Sequence, residues 1–139
     1  MYATQPSCRT SKHAGAASQL SLGGQHSVAV VASHSSNSTQ PALHTWGFGD
    51  FGVLGHGAHL PQHFPRALHL TSNSSAAQLQ PAQSRHDGAV HLAAGGTHTL
   101  VVDAAGRVFA CGRDEGEGRL GIPAHRLDGQ GLCLSPALV

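Results

Sequence analysis

The sequence is poor in aromatic residues and in charge. Phe, Trp and Tyr make up 4% of the 139 residues, charged residues make up 11%, and eight Lys and Arg balance seven Asp and Glu. The basic residues form no cluster of the kind that binds a nucleic-acid backbone or an anionic membrane surface. No apolar run reaches about 18 residues, the minimum for a membrane-spanning helix. Direct binding to nucleic acid or to membranes is therefore not expected.

Cysteine is also scarce. The three cysteines, Cys8, Cys111 and Cys133, form no C-x-x-C pair. An odd count in a chain with no secretory apolar segment favours reduced thiols and an intracellular location.

The N-terminal segment, residues 1–19, contains no acidic residue, and the first one in the chain is Asp50. Its Arg9 and Lys12 lie among small and polar residues, as in an organellar transit segment. A disordered start to the chain is the alternative interpretation. The nucleus or the cytoplasm is the expected location, with an organelle as the alternative.

The chain contains two similar halves, residues 20–70 and 89–139, separated by a low-complexity linker at 71–88. Each half opens with Gly-Gly-x-His-(Ser/Thr) before an apolar run and continues with a glycine-rich segment that ends in Leu-Gly. Self-similarity of this kind indicates a repeat architecture. The signature positions are Gly24, His26, Trp46, Gly47, Gly52, Leu54 and Gly55 in the first copy, and Gly96, His98, Gly112, Gly118, Leu120 and Gly121 in the second.

Short apolar runs rich in β-branched residues alternate with period two, which predicts strands. In the second copy, residues 97–103 and 107–111 flank a turn in which Gly106 can take a positive φ, so a β-hairpin is predicted there. The 18 Gly and seven Pro leave no amphipathic window long enough for a stable helix. The predicted fold class is all-β.

The order of these signals resembles the repeat of the regulator of chromosome condensation (RCC1) family, and residues 111–121 are particularly similar to plant and green-algal members. The resemblance implies a β-propeller, conventionally of about seven four-stranded blades. Two copies predict a partial propeller, although about three repeats are needed for independent stability. Further repeats or self-association are then needed to cover the open sheet edges.

The resemblance implies a non-enzymatic protein-interaction module, because loops on a rigid β scaffold commonly carry binding. The family includes an exchange factor for a small GTPase, so a part in a guanine-nucleotide exchange factor or regulator is the function that it implies, with a small GTPase as the protein partner. No catalytic, cofactor-binding or metal-ligating residue can be assigned. A truncated, non-functional fragment is one alternative, and a metal-binding or nucleotide-using enzyme is another.

The enzyme alternative depends on two motifs. Residues 47–52 and 116–121 both fit G-x-G-x-x-G, but a phosphate loop needs a helix directly after its glycines, and none is predicted. His56, His59 and His63 have spacings that a metal site could use, yet no Cys or carboxylate lies near them. Turn glycines and solvated loop histidines are the preferred interpretations.

The remaining polar and aromatic residues have structural interpretations. His26 and His98, each after two glycines at a strand start, are expected to bond neighbouring carbonyls. Cys111 stands where the first copy has Trp46, which indicates packing. Core or blade-seam positions are predicted for Trp46, Phe48, Phe51, Phe64 and Phe109.

An acidic cluster lies on the second glycine-rich segment. Its members, Asp114, Glu115 and Glu117, are expected to pair locally with Arg113 and Arg119.

Overall fold

A computed structural model describes residues 16–32, 41–70 and 89–139. Within these ranges the chain forms eight β-strands and two short 3-10 helices, so the all-β prediction is confirmed. The predicted N-terminal segment up to residue 15, the polar insertion at 33–40 and the linker at 71–88 lie outside the described residues. The strands are β1 (Ala17–Leu22), β2 (His26–Val31), β3 (Ala42–Gly47), β4 (Gln62–Leu68), β5 (Ala89–Ala94), β6 (His98–Asp103), β7 (Val108–Arg113) and β8 (Leu132–Leu138), and the 3-10 helices are Asp50–Gly52 and Ala124–Arg126.

The strands form two antiparallel four-stranded sheets in simple sequential order. Sheet one has the order β1-β2-β3-β4 and sheet two the order β5-β6-β7-β8. The first strand begins at Ala17, slightly before the predicted start of the first copy at residue 20. Each sheet thus contains the strands of one sequence copy, which is the arrangement of two propeller blades.

The strand alternation explains how the two sheets pack. On β2, Val28 and Val30 face sheet two, and on β6, Val101 faces sheet one. The two layers enclose one apolar core, the seam, whose buried residues are Val28, Val30, Leu43, Leu68, Leu70, Ala89, Val101 and Phe109.

The predicted hairpin between β6 and β7 is present, and Gly106 has a φ of 77°. Asp103 organises its turn: one carboxylate oxygen accepts from the backbone N–H groups of Ala105 and Arg107, each at 2.9 Å. The other accepts from the Arg107 Nε at 2.7 Å. Burial acts to raise the pKa of Asp103, but these hydrogen bonds and the Arg107 charge outweigh it, and the pKa lies below its ordinary value.

Because neighbouring strands are antiparallel, the connections β1–β2 and β3–β4 leave sheet one at one end, and β5–β6 and β7–β8 leave sheet two at one end. These two ends coincide, since a backbone hydrogen bond joins Gly24 to Gly95. The segments concerned are residues 23–25, 48–61, 95–97 and 114–131. We call this the loop end. Neither described helix is long or apolar enough to span a bilayer.

Candidate protein interface at the loop end of the sheets

A chain of hydrogen bonds ties the two sheets together just below the loop end. Nε2 of His26 lies 2.8 Å from Oγ1 of Thr99, and that hydroxyl donates to the carbonyl oxygen of Val53 at 2.8 Å. Since the hydroxyl proton is used by Val53, His26 must donate from Nε2, and its buried Nδ1 has no partner. The pKa of His26 is lowered, mainly by burial and in second place by the nearby His98. The partner of His26 is therefore a hydroxyl on the other sheet, not the neighbouring carbonyl that the sequence suggested.

The paired glycines of the signature make room for this histidine. A Cβ atom on Gly23 would lie 2.5 Å from Cε1 of His26, and one on Gly95 would lie 2.6 Å from Cε1 of His98. The second glycine of the pair brings the sheets together, because the N–H of Gly24 donates to the carbonyl oxygen of Gly95 at 3.1 Å. In the Gly-Gly-x-His motif, the first glycine thus leaves space for the imidazole, which packs against its own turn.

The glycines at the ends of β3 and β7 have the same unusual backbone. Gly47 has a φ of 108° and Gly112 a φ of 115°, a region that side chains other than glycine rarely adopt. A Cβ on Gly47 would also lie 2.7 Å from the carbonyl oxygen of Gln25, and one on Gly112 would lie 2.4 Å from that of Thr97. The other signature glycines after these strands, Gly52, Gly55, Gly118 and Gly121, also have positive φ.

The two G-x-G-x-x-G segments form turns that pack inward. The first ends in the three-residue 3-10 helix Asp50–Gly52. Leu54 follows closely; it is 1% exposed, and its carbonyl oxygen accepts from the Thr45 hydroxyl at 2.9 Å. In the second, the buried Asp114 accepts from the backbone N–H groups of Gly118 at 3.0 Å and Leu120 at 3.1 Å. These bonds to Leu120 and Gly118 hold the pKa of Asp114 below its ordinary value. The donors that a phosphate would need at this turn are bonded to Asp114.

The acidic cluster pairs only partly as expected. Arg119 bonds Glu117 at 2.8 Å and also pairs with Glu115. Arg113 does not join them, because its guanidinium carbon lies 5.2 Å from the centroid of the Phe51 ring. Arg113 therefore connects sheet two to the loop of sheet one through a cation–π contact.

The three loop histidines do not come together. Nε2 of His56 lies 2.9 Å from the hydroxyl of Thr45, while His59 and His63 are exposed. Burial and the charge of Arg66 lower the pKa of His56. In the described ranges, no group of three His, Cys, Asp or Glu residues could hold a metal ion.

The prediction of core or blade-seam positions for the aromatic residues is confirmed for Phe109, which is fully buried in the seam, whereas three others keep large exposed surfaces. Phe48 is 46% exposed, Phe51 37% and Phe64 80%. Phe48 and Phe51 lie in the loop after β3, and Phe64 lies on β4, the outer strand of sheet one. Trp46 is half-buried. Hydrophobicity indicated that these rings need contacts but could not show whether the contacts lie within the chain.

The loop end carries a cleft between the sheets, with a volume of about 260 Å³. Gln25 and Thr97 from the two tight turns line it, together with Phe48, Asp50 and Phe51 from the longer loop. Two aromatic rings, one side-chain amide, one hydroxyl and one carboxylate thus share one surface. Sequence reasoning missed this site, and the only available signal was the placement of two Phe residues among turn glycines.

Comparison with solved structures identifies the fold as two blades of a β-propeller. Human WBSCR16 matches with a TM-score of 0.62 and 18% identity, over 90% of this chain and 25% of that one. Yeast RCC1 (Prp20), in its structure with Kap60, matches with a TM-score of 0.58 and 21% identity, over 87% and 25%. Prp20p from Saccharomyces cerevisiae, described together with its binding properties to Gsp1p and histones, gives 0.55 and 22%, over 87% and 26%.

The sequence comparisons identify the particular family. Two models of the Regulator of chromosome condensation (RCC1) repeat match residues 42–102 and 89–118. The RCC1 domain-containing protein RUG3, mitochondrial, of Arabidopsis thaliana is 32% identical over 116 residues, which is 84% of this chain and 22% of that protein. The human E3 ubiquitin-protein ligase HERC2 is 32% identical over 100 residues, which is 68% of this chain and 2% of HERC2. The chain belongs to the RCC1 repeat family, contains about two repeats, and spans about a fifth of the length of RUG3.

The family unit and the sheets are out of phase. The match at residues 42–102 begins with the first residue of β3 and ends within β6. One sequence unit therefore supplies two strands to each of two neighbouring sheets.

Proposed function

We propose that this chain is a non-enzymatic protein-interaction module whose loop end binds a small GTPase, as part of a nucleotide-exchange factor or regulator. The observation that carries the proposal is the exposure of Phe48 and Phe51 beside the cleft, on a loop held by both sheets. RCC1 family membership supports a protein partner, and the description of Prp20p with its binding to Gsp1p and histones concerns a protein of the same fold.

The dimensions favour a macromolecule over a small ligand. A cleft of about 260 Å³ falls below the range of about 300–1,000 Å³ that is usual for small-molecule pockets. Exposed aromatic rings that flank a shallow cleft act as anchors, since they bury large areas and lose little conformational entropy. Arg113 against Phe51 keeps that ring in place before a partner arrives.

The non-enzymatic part of the proposal rests on how the polar groups are used. The hydroxyls of Thr45 and Thr99 and the carboxylates of Asp103 and Asp114 all bond groups within the fold. The described part of the loop end therefore offers contact surface, and its residues form no pair of nucleophile and base at the cleft.

The proposal is tested by measuring binding to the purified small GTPase Gsp1p, in GDP-bound and nucleotide-free forms, by surface plasmon resonance. We expect the Phe48→Ala/Phe51→Ala double variant to bind at least tenfold more weakly than the unchanged chain. Phe64→Ala is the matched control, because it removes an equally large and more exposed ring from a strand outside the loop end. Release of labelled GDP, with and without the chain, then reports exchange.

Two outcomes would overturn the proposal. One is the absence of binding to either form of the GTPase, which a fragment without function also predicts. The other is an equal loss of affinity in the control, which would place the contact outside the loop end.

The location is a separate proposal. A small-GTPase partner favours the nucleus or the cytoplasm, whereas the composition of residues 1–19 and the mitochondrial relative RUG3 favour an organelle. Imaging the full chain, and residues 1–19 alone, as fluorescent-protein fusions distinguishes the two. Mitochondrial signal from both fusions would select the organelle.

A further inference from the structure

Each sheet has one side that faces the seam and one side that faces outward. The outward sides carry residues equivalent to those that line the seam. We call the side of sheet one that faces away from sheet two the leading face, and the side of sheet two that faces away from sheet one the trailing face. Residues of sheet two on the trailing face correspond to those of sheet one that face the seam, because the signature recurs in both sheets. The leading face corresponds in the same way to the seam side of sheet two.

Apolar residues on the trailing face are exposed where their counterparts in the seam are buried. Leu43 and Leu68 are cross-strand partners in sheet one and are 2% and 7% exposed. Their counterparts in sheet two, Val108 and Val139, are also neighbours, joined by a 3.0 Å backbone hydrogen bond. They are 36% and 53% exposed. The difference arises because no described sheet covers the trailing face.

The leading face shows the same pattern on β1. Leu20 and Leu22 are 60% and 68% exposed. Their counterparts on β5, Leu92 and Ala94, pack against the seam core. The leading face therefore offers the apolar side chains that the seam side of sheet two uses.

The polar groups of the seam are also duplicated. In the seam, His26 bonds the hydroxyl of Thr99. On the trailing face, the equivalent His98 makes no side-chain hydrogen bond to any described residue, and its Nδ1 is buried without a partner, as in His26. On the leading face, Ser27 stands at the position of Thr99 and supplies a hydroxyl. The donor, His98, therefore lies on the trailing face, and the complementary acceptor, Ser27, lies on the leading face of the same chain.

The tight turns repeat this complementarity in the backbone. Gly24 donates to Gly95 across the seam, and a Cβ on Gly24 would lie 3.3 Å from the Cα of Gly96. Nothing lies within 4 Å of a Cβ placed on Gly96. The Gly96 turn is therefore free to meet the Gly23 turn of another molecule as Gly24 meets Gly95.

We propose that a second copy of this chain docks its leading face on the trailing face, head to tail, and so repeats the seam between molecules. The contact pairs His98 of one molecule with Ser27 of the next and buries Val108 and Val139 in the same interface as Leu20 and Leu22. An interface between two different surfaces propagates into rings or open filaments. A ring built from pairs of blades contains an even number of blades, so a seven-bladed ring cannot form this way.

The first test measures the mass of the purified chain by light scattering and sedimentation from about 1 to 100 µM. We expect the mass to rise with concentration. Leu22→Glu on the leading face and Val108→Glu on the trailing face should each weaken association at least tenfold, because each places a charge in an apolar contact. Leu60→Glu is the control, since Leu60 is 67% exposed but lies in a loop. Circular dichroism checks that every variant remains folded.

The decisive test mixes the two interface variants. Leu22→Glu retains an intact trailing face and Val108→Glu an intact leading face, so the mixture should form a one-to-one dimer that neither variant forms alone. A dimer joined through identical faces would show no such complementation.

The proposal is overturned if the unchanged chain stays monomeric at about 100 µM, if Leu60→Glu weakens association as much as the interface variants, or if the mixture remains monomeric. A monomeric unchanged chain would mean that another kind of partner, such as further blades of a longer protein, covers these faces.

The hydrogen bond gives an independent measurement. Ser27→Ala and His98→Ala should each weaken association by roughly fivefold, and the double variant should be little weaker than either single variant, because both remove the same bond. Fully additive effects would contradict the pairing.

Discussion

His26, Thr99 and Val53 form a bonded series in which only one arrangement of protons satisfies the groups involved. The threonine hydroxyl gives its proton to a carbonyl and takes one from the imidazole, so the histidine must be protonated at Nε2. Thr99 is fully buried, so its hydroxyl is shielded from solvent. The series therefore gives the seam specificity as well as stability.

Replacing Thr99 with Val keeps the shape of the side chain but removes both hydrogen bonds. The carbonyl of Val53 and the Nε2 of His26 each lose this partner in a buried environment, and we expect a loss of about 1 to 3 kcal/mol in the free energy of unfolding. Urea denaturation measures it. Thr97→Val is the control, because the Thr97 hydroxyl makes no hydrogen bond to a described residue. Equal losses in the two variants would contradict the role of the series.

The stability of the fold should decrease on acidification through the protonation of His26. Its pKa is lowered from 6.5 in the folded protein, so the unfolded chain binds the proton more tightly. Stability is then complete above about pH 6.5 and is lost as the pH falls below that value towards the folded pKa. His56, whose pKa is also lowered, contributes with the same sign.

The measurement is a series of thermal melts between about pH 5 and 8. The His26→Gln variant should fold with a lower stability than the unchanged chain. Its melting temperature should change less over that pH range. His63→Gln, a change at an exposed strand residue, should follow the unchanged chain. An identical pH dependence in His26→Gln would contradict the prediction.

The thiol of Cys111 should be unreactive in the folded protein. Burial and the neighbouring Cys133 raise its pKa to about 12, so almost no thiolate is present at neutral pH. We expect iodoacetamide at pH 8 to label Cys111 only after denaturation, as read by mass spectrometry of the peptides. Rapid labelling in the native state would contradict the described packing.

At the scale of the strands, the hairpin between β6 and β7 depends on one backbone conformation. Gly106 has a φ of 77°, and nothing lies within 4 Å of a Cβ placed on it. Gly106→Ala should therefore cost about 1 to 2 kcal/mol from backbone strain alone. Gly129→Ala is a matched control, since it also points into open space and lacks a positive φ. Chemical denaturation of both variants tests the assignment, and equal effects would contradict it.

The sequence was sufficient to predict these strands because their signals are local. Period-two alternation and Gly106 marked the β6–β7 hairpin, and the recurrence of the signature marked two equivalent units. The partner of His26 could not be predicted, since Thr99 lies 73 positions away and its proximity depends on how one sheet packs on the next. For the same reason, core or blade-seam positions were predicted for Phe48 and Phe51, although both rings are exposed at the loop end.

At the scale of the whole molecule, the two sheets share one core, so they should unfold together. Phe109 pairs with Val101 in sheet two and is fully buried in the seam, in the same core cluster as Val28 of sheet one. Phe109→Ala should cost about 3 to 5 kcal/mol, a large part of the stability that a small protein has. Hydrogen exchange should then show faster exchange in β2 as well as in β6. Unchanged protection of β2 would show that the sheets are energetically independent.

The two proposed surfaces lie on different parts of the molecule. The loop end carries Phe48 and Phe51, whereas the leading and trailing faces carry Leu22 and Val108 on the strands. The two surfaces meet at the tight turns, because Gly96 lines the cleft and also belongs to the turn that the second copy would contact. Substitutions of Leu22 or Val108, which lie outside these turns, should leave binding at the loop end unaffected.

The half-sheet offset between the RCC1 unit and the strands has a genetic consequence. Excision of the segment from β3 to β6 would join β1 and β2 to β7 and β8, and the product would still be a sheet of four strands. Duplication of the same segment would likewise add one whole blade and leave no strand unpaired. Unequal crossing-over can thus lengthen or shorten such an array by whole units without breaking a hydrogen-bond ladder.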